Sequence, residues 1–214
     1  MANIFYIEAG LTTVAFTSLI TYHIRHFWQI KHKPQLTDIG RNNLVRAKWV
    51  HTVMAERRDI LAVQTLRNWT MAATFLASTA ILVSLGALNL ALSTEKMSEV
   101  SDLLNLFGSH HGTLWATKLV ILAIAFFFAF FNFTLAVRYY NHVGFRVNVP
   151  AETGDQSGIQ TVIKILNRGA MHYHFGMRAY YIAIPLTLWL LGPSWLLLGS
   201  LVMTMILSRL DKVS

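Results

Sequence analysis

Five of the nine histidines fall near the same edge of long apolar stretches, and they are the residues here best placed for chemistry. His23 and His26 are three apart at the end of the first stretch, so they share a helix face. His142 follows the third stretch, and His172 and His174 precede the fourth. Two opposed imidazoles suffice for a b-type haem, whereas zinc or copper wants three or four ligands. Against that reading, no histidine lies mid-stretch, where an electron path across a membrane needs one. Positions 172 and 174, two apart, also cannot share one helical face. Interfacial, hydrogen-bonded histidines are therefore the simpler expectation. No cofactor is predicted, with haem b or a metal ion at His23, His26, His142, His172 and His174 as the alternative. His110 and His111, with Glu95, Glu99 and Asp102, offer a second and weaker cation set. Cysteine is absent, which removes disulfides and thiolate metal sites. There is no phosphate-binding glycine loop, no HExxH pair and no nucleophile elbow.

The elements that must position these residues are helices. Apolar stretches run over Ile4–Trp28, Thr70–Leu92, Leu119–Val137 and Tyr180–Leu207. Each is long enough for the ~20 residues that cross a hydrocarbon layer, and only a helix satisfies its own backbone there. The composition agrees, at 54% hydrophobic and 13% charged residues. The expectation is an all-α polytopic membrane protein, one membrane domain over 1–214, with four transmembrane helices and short amphipathic interfacial helices. The fourth stretch is interrupted by Gly192-Pro193. One kinked, tilted span is expected there; a re-entrant hairpin would instead return Arg209, Asp211 and Lys212 to the inner side.

Charge sets the orientation. Fourteen of the 18 Lys and Arg lie in the segments Arg25–Arg67 and Arg138–Arg178, and two lie between Ser93 and Lys118. The positive-inside rule puts the two basic segments in the cytoplasm and the N-terminus outside, in the inner (cytoplasmic) membrane. The first basic residue, Arg25, comes only at the far end of the first apolar run, so no basic segment precedes it and the run reads as a span and not a cleavable signal. The net charge of +8 is explained by topology and calls for no nucleic acid.

Between spans, Val50, Val53, Met54, Ile60 and Leu61 recur at helical spacing and predict a helix on the inner membrane surface. Met97, Val100, Leu104 and Phe107 predict another outside. Ser157 with Gln160 forms a capping-box pattern, followed by Ile159, Val162, Ile163 and Leu166 on one face, with Gly169 as the expected stop.

Within the spans, Ala73, Ala77, Ala80, Ser84, Ala87 and Ala91 make a stripe of small side chains. Ala125, Ala129, Asn132 and Ala136 make a similar one. Small residues permit close helix approach in lipid, so the two stripes are expected to meet. Asn132 wants a hydrogen-bond partner, as interhelical glue or as a substrate ligand. Gln64, Arg67 and Asn68, with Arg178 at the matching level, are expected to form a polar inner-boundary cluster. It would bind an anionic headgroup or ligand, unless the arginines only snorkel.

Two strings carry a resemblance. One is Ala62-Val63-Gln64-Thr65-Leu66-Arg67-Asn68 with Thr70-Met71-Ala72-Ala73-Thr74 and Leu76-Ala77-Ser78-Thr79-Ala80-Ile81-Leu82. The other is Gly176-Met177-Arg178-Ala179-Tyr180-Tyr181 with Pro185-Leu186, Trp189 and Gly192-Pro193. Both resemble an uncharacterised integral-membrane family of bacteria and plants, domain-of-unknown-function family 599. The resemblance covers most of the chain, implies four spans and supplies no catalytic residues. The function expected is a non-catalytic membrane subunit that packs against or stabilises a larger complex, with lipids, other membrane subunits or further copies as partners. Alternatives are a haem- or metal-binding redox subunit and a small transporter of an anionic or polar substrate using Arg67, Asn132 and Arg178.

Overall fold

A computed structural model describes residues 2–93, 112–149 and 156–212, apart from the side chains of 2–5, 112 and 156. The described residues are almost entirely helical. The helices are α1 (Ala2–His32), α2 (Asp38–Ala55), α3 (Asp59–Leu92), α4 (Gly112–Arg146), α5 (Gln156–Leu188) and α6 (Pro193–Leu210). Short 3₁₀ turns at Pro34–Leu36 and Trp189–Leu191 join α1 to α2 and α5 to α6.

Three helices are long and apolar enough to cross a membrane: Asp59–Leu92, Thr113–Arg146 and Pro193–Leu210, among the described residues. They mark the chain as a membrane protein. Their outward faces fit that reading, since Phe75, Leu82, Ile124, Phe127, Phe128 and Phe131 are all exposed. The first expected span lies inside α1, which is long enough but diluted by Thr12, Thr13, Thr17, Ser18 and Thr21.

The fourth stretch is not one kinked span. Gly192 adopts φ 141°, a conformation open to glycine but not to L side chains, and Pro193 starts a new helix. A Cβ at Gly199 would lie 2.7 Å from Leu188 and 3.3 Å from Pro185. Arg178, farther back on α5, meets Asp211 at the far end of α6. Contacts that pair later residues of α6 with earlier residues of α5 make the two an antiparallel hairpin. Lys212 then bridges the backbone of Thr37, which ties the end of the chain to the α1–α2 turn.

Two further expectations need correction. Val50 and Val53 are buried against Leu66, Val143, Val162 and Leu166, so α2 presents this face to the bundle and not to a membrane surface. Ile60 and Leu61 belong to α3 and are exposed; the break at Arg57, with φ 50°, separates them from α2. Gly169 does not stop a helix, because α5 runs through it unbroken. Its missing side chain lets α5 approach α4: a Cβ there would sit 2.8 Å from the Tyr140 ring. The expected helix over Met97–Phe107 and the set Glu95, Glu99, Asp102, His110 and His111 lie outside the described residues.

The small-residue stripes form a seam. Ala73, Ala77 and Ala80 of α3 are buried with Ala129 and Phe133 of α4, and Ser84 Oγ donates to the Ala123 carbonyl at 2.8 Å. The stripe on α4 is only partly the one expected. Ala125 packs toward Leu122, Ala183 and Trp189. Asn132 turns to α5, where its Oδ1 meets His172 Nδ1 at 3.0 Å.

Candidate functional site

A cavity of about 600 Å³ opens where the six described helices converge. Each helix contributes: His26 from α1; Asp38, Asn42 and Arg46 from α2; Trp69 from α3; Tyr140 from α4; Tyr173, His174, Met177, Arg178 and Tyr181 from α5; Leu207, Leu210 and Asp211 from α6. The turn that aims α2 is built locally. Thr37 caps the helix by accepting from Gly40 N at 3.2 Å while its hydroxyl donates to the Pro34 carbonyl at 2.7 Å. Only glycine fits at 40, since a Cβ there would collide with that carbonyl.

Arg178 anchors one wall. It is 5% exposed. Its Nε donates to His174 Nε2 at 3.2 Å, and its Nη2 to His26 Nε2 at 3.0 Å and to the Asp211 carboxylate. Arginine only donates, so both imidazole Nε2 atoms carry no proton and both histidines are neutral. The His26 proton is therefore on Nδ1, which lies 3.3 Å from Asp211 Oδ2. The Tyr22 hydroxyl also donates to this carboxylate. Burial by itself would raise the Asp211 carboxyl. Hydrogen bonds from Arg178 and Tyr22, with the arginine's charge, outweigh it and hold the group below its ordinary value of 3.8. The result is a partly buried ion pair held by hydrogen bonds, which are what make such a pair tolerable away from water, with Arg178 Nη1 left buried and without a partner among the described residues.

The polar face of α2 also lines the cavity. Asp38, Asn42 and Arg46 recur every four residues and so lie along one face. Asn42 Nδ2 donates to Asp38 at 2.8 Å. Arg46 is half-buried; its Nε donates to Asn167 at 2.9 Å and its Nη2 to Asn43 at 2.5 Å. Burial lowers the proton affinity of this guanidinium, though not enough to discharge an arginine. Among the described residues, both acceptors are neutral amides, so no contacting carboxylate cancels its charge.

The expected residues distribute differently. Gln64, Arg67 and Asn68 are exposed on α3 and outside the cavity, so they do not form a cluster with Arg178. The five histidines do not form one site either. His142 is exposed, and His172 is held by Asn132 and stacked on Tyr139 at 5.4 Å. His23 donates Nδ1 to the Leu19 carbonyl at 2.8 Å; among the described histidines, His26 and His174 are the two that bind Arg178. Among the described residues, no group of three or more His, Asp or Glu side chains is arranged to hold a metal ion. Lys118, counted with the outer charges, is buried, donates to the Trp189 carbonyl at 3.1 Å and lies over that indole ring.

The family model described as "Protein of unknown function, DUF599" matches residues 11–214. The chain belongs to this family. No curated protein and no solved structure matches it. For this DUF599 chain the site must therefore be read from its own residues. Sequence reasoning reached Arg178, His26 and His174 but missed Asp211, Tyr22 and the α2 face. The spacing of Asp38, Asn42 and Arg46 was a usable signal. Asp211 had only a faint one, the preference of Arg209 and Lys212 for the inner side.

Proposed function

We propose that this chain is a non-catalytic protein of the cytoplasmic membrane, N-terminus outside, that holds the headgroup of a membrane lipid in the six-helix cavity. The observation that carries this reading is the composition of the lining. A charged face on α2 shares the lining with the apolar side chains of Trp69, Met177, Leu207 and Leu210. That combination suits a molecule with a polar head and an apolar body. In this reading α1, α3, α4, α5 and α6 cross the membrane, five crossings in place of the expected four, because α5 and α6 run antiparallel. The chain then ends on the cytoplasmic side, where the charge rule favours Arg209 and Lys212. Arg41, Arg46 and Lys48 on α2 face the same side, where anionic lipids attract basic residues.

The test is to purify the full chain in a mild detergent and identify what stays bound by native mass spectrometry. Retained phospholipid, lost in Arg46→Gln, is expected. A lipid-free protein would remove the reading, and a Soret band in the absorption spectrum would replace it with the redox alternative. Orientation is tested by cysteine labelling in intact cells, which the absence of native cysteine makes clean. Leu44→Cys, at an exposed site on α2, is expected to be protected from an impermeant reagent added outside.

A further inference from the structure

We infer that the headgroup this cavity selects is a zwitterion carrying a phosphate and a primary ammonium, of the phosphoethanolamine type. The inference rests on the lipid-binding reading above and names the chemistry that reading leaves open. Its basis is the charge count of the lining. Four side chains there carry full charges: Arg46, Arg178, Asp38 and Asp211. The two histidines are neutral, because each offers an unprotonated Nε2 to Arg178. Arg178 and Asp211 cancel each other by direct contact, and Tyr22 and His26 complete the coordination of that carboxylate. That pair is neutral in net charge, although Arg178 Nη1 remains a donor without a partner among the described residues.

What remains is one cation and one anion on the same face of α2. Arg46 spends Nε and Nη2 on the Asn167 and Asn43 amides, which leaves Nη1 without a protein partner among the described residues. Asp38 accepts one bond, from Asn42, and is otherwise open to solvent at the cavity edge. Eight residues separate the two along the helix, about 12 Å of rise, and Arg46's long side chain shortens that gap. A ligand bearing only negative charge would meet Arg46 but be repelled by Asp38. A cation would meet the reverse. A head with phosphate at Arg46 and ammonium at Asp38 answers both, with Asn42 between them. Phosphate suits the guanidinium because it accepts charge-assisted bonds. An ammonium suits Asp38 because it brings three donors to a carboxylate with spare acceptor sites.

The head could come from a membrane lipid or from its water-soluble glycerol ester, and the experiment separates the two. Full-length chain is reconstituted in nanodiscs with equal phosphatidylethanolamine and phosphatidylglycerol, and bound lipid is read by native mass spectrometry. The expected result is retention of the ethanolamine lipid by about tenfold over the glycerol lipid, the size of one good charged contact. Asp38→Asn should erase that preference while lipid stays bound, and Arg46→Gln should weaken retention of both. In a second arm, soluble glycerophosphoethanolamine competes against glycerophosphoglycerol. Preference for the ethanolamine form in that arm would support the same head chemistry from a soluble source. Equal or preferred retention of the glycerol lipid, or an unchanged ratio in Asp38→Asn, overturns the zwitterion assignment and leaves lipid binding standing. Retention of neither lipid and neither soluble ester overturns both.

Discussion

The α3–α4 seam and the six-helix junction hold this molecule together by opposite means. In the seam, Ala73, Ala77, Ala80 and Ala129 bring two helices close through the absence of side-chain bulk, with Ser84 adding one hydrogen bond. Many small van der Waals contacts share the load, so no single atom is decisive. At the junction, one guanidinium joins α1, α5 and the end of α6 through His26, His174 and Asp211. There the load rests on charged groups that are costly to leave unpaired. The seam should yield gradually to mutation, the junction abruptly.

The largest effect is expected at Arg178. Arg178→Met leaves Asp211, partly buried beside Tyr22 and His26, without its counter-charge. It should cost about 3 kcal/mol, the low end of the penalty of breaking a buried pair from one side, because Asp211 keeps some contact with solvent. Thermal unfolding in detergent measures it. A cost below that of the seam substitutions would end the contrast.

Acid should probe the same junction. The folded Asp211 carboxyl is held below its ordinary 3.8, so its contribution is fully present above that value and is lost as pH falls through the lower, folded one. Asp211→Asn should therefore be less stable than the unaltered chain at neutral pH, and the gap should close below about pH 4. A gap that is constant with pH would show that the carboxylate is not the group at work.

In the seam, Ala80→Leu should cost about 1–3 kcal/mol by forcing close helices apart. Leu82→Ala, at an exposed neighbouring position, should stay within about 0.5 kcal/mol. Equal tolerance of the two would remove the close approach of α3 and α4. The smallest of the seam effects is expected at Ser84→Ala, about 0.6 kcal/mol for one interhelical hydrogen bond. A larger loss would mean that polar contacts, and not small size, dominate there too.

Much of the seam was legible in the chain because periodicity is a local property. Alanines spaced four and three apart mark a helix face whatever lies opposite, so the face of α3 could be read directly. Its partner could not be read as fully. Asn132 and Ala125 share spacing with Ala129, yet Asn132 turns to His172 on α5 and Ala125 to the outer cluster. A helix in the middle of a bundle has neighbours on several sides, and spacing does not say which residue faces which neighbour.

By itself the sequence determined that the fold is all-α, where its apolar segments lie, and which faces are small or charged. These follow from helix geometry and the cost of bare backbone in lipid, and both act over a few turns. Only the tertiary structure decided that Gly192 folds α6 back along α5, which carries Asp211 to Arg178 across 33 positions of chain. It likewise decided that Arg67 and Asn68 stay outside while Asp38, Asn42 and Arg46 line a cavity with Arg178. A buried charge needs a partner close in space. Nothing in the order of residues names that partner until packing has fixed which helix ends meet.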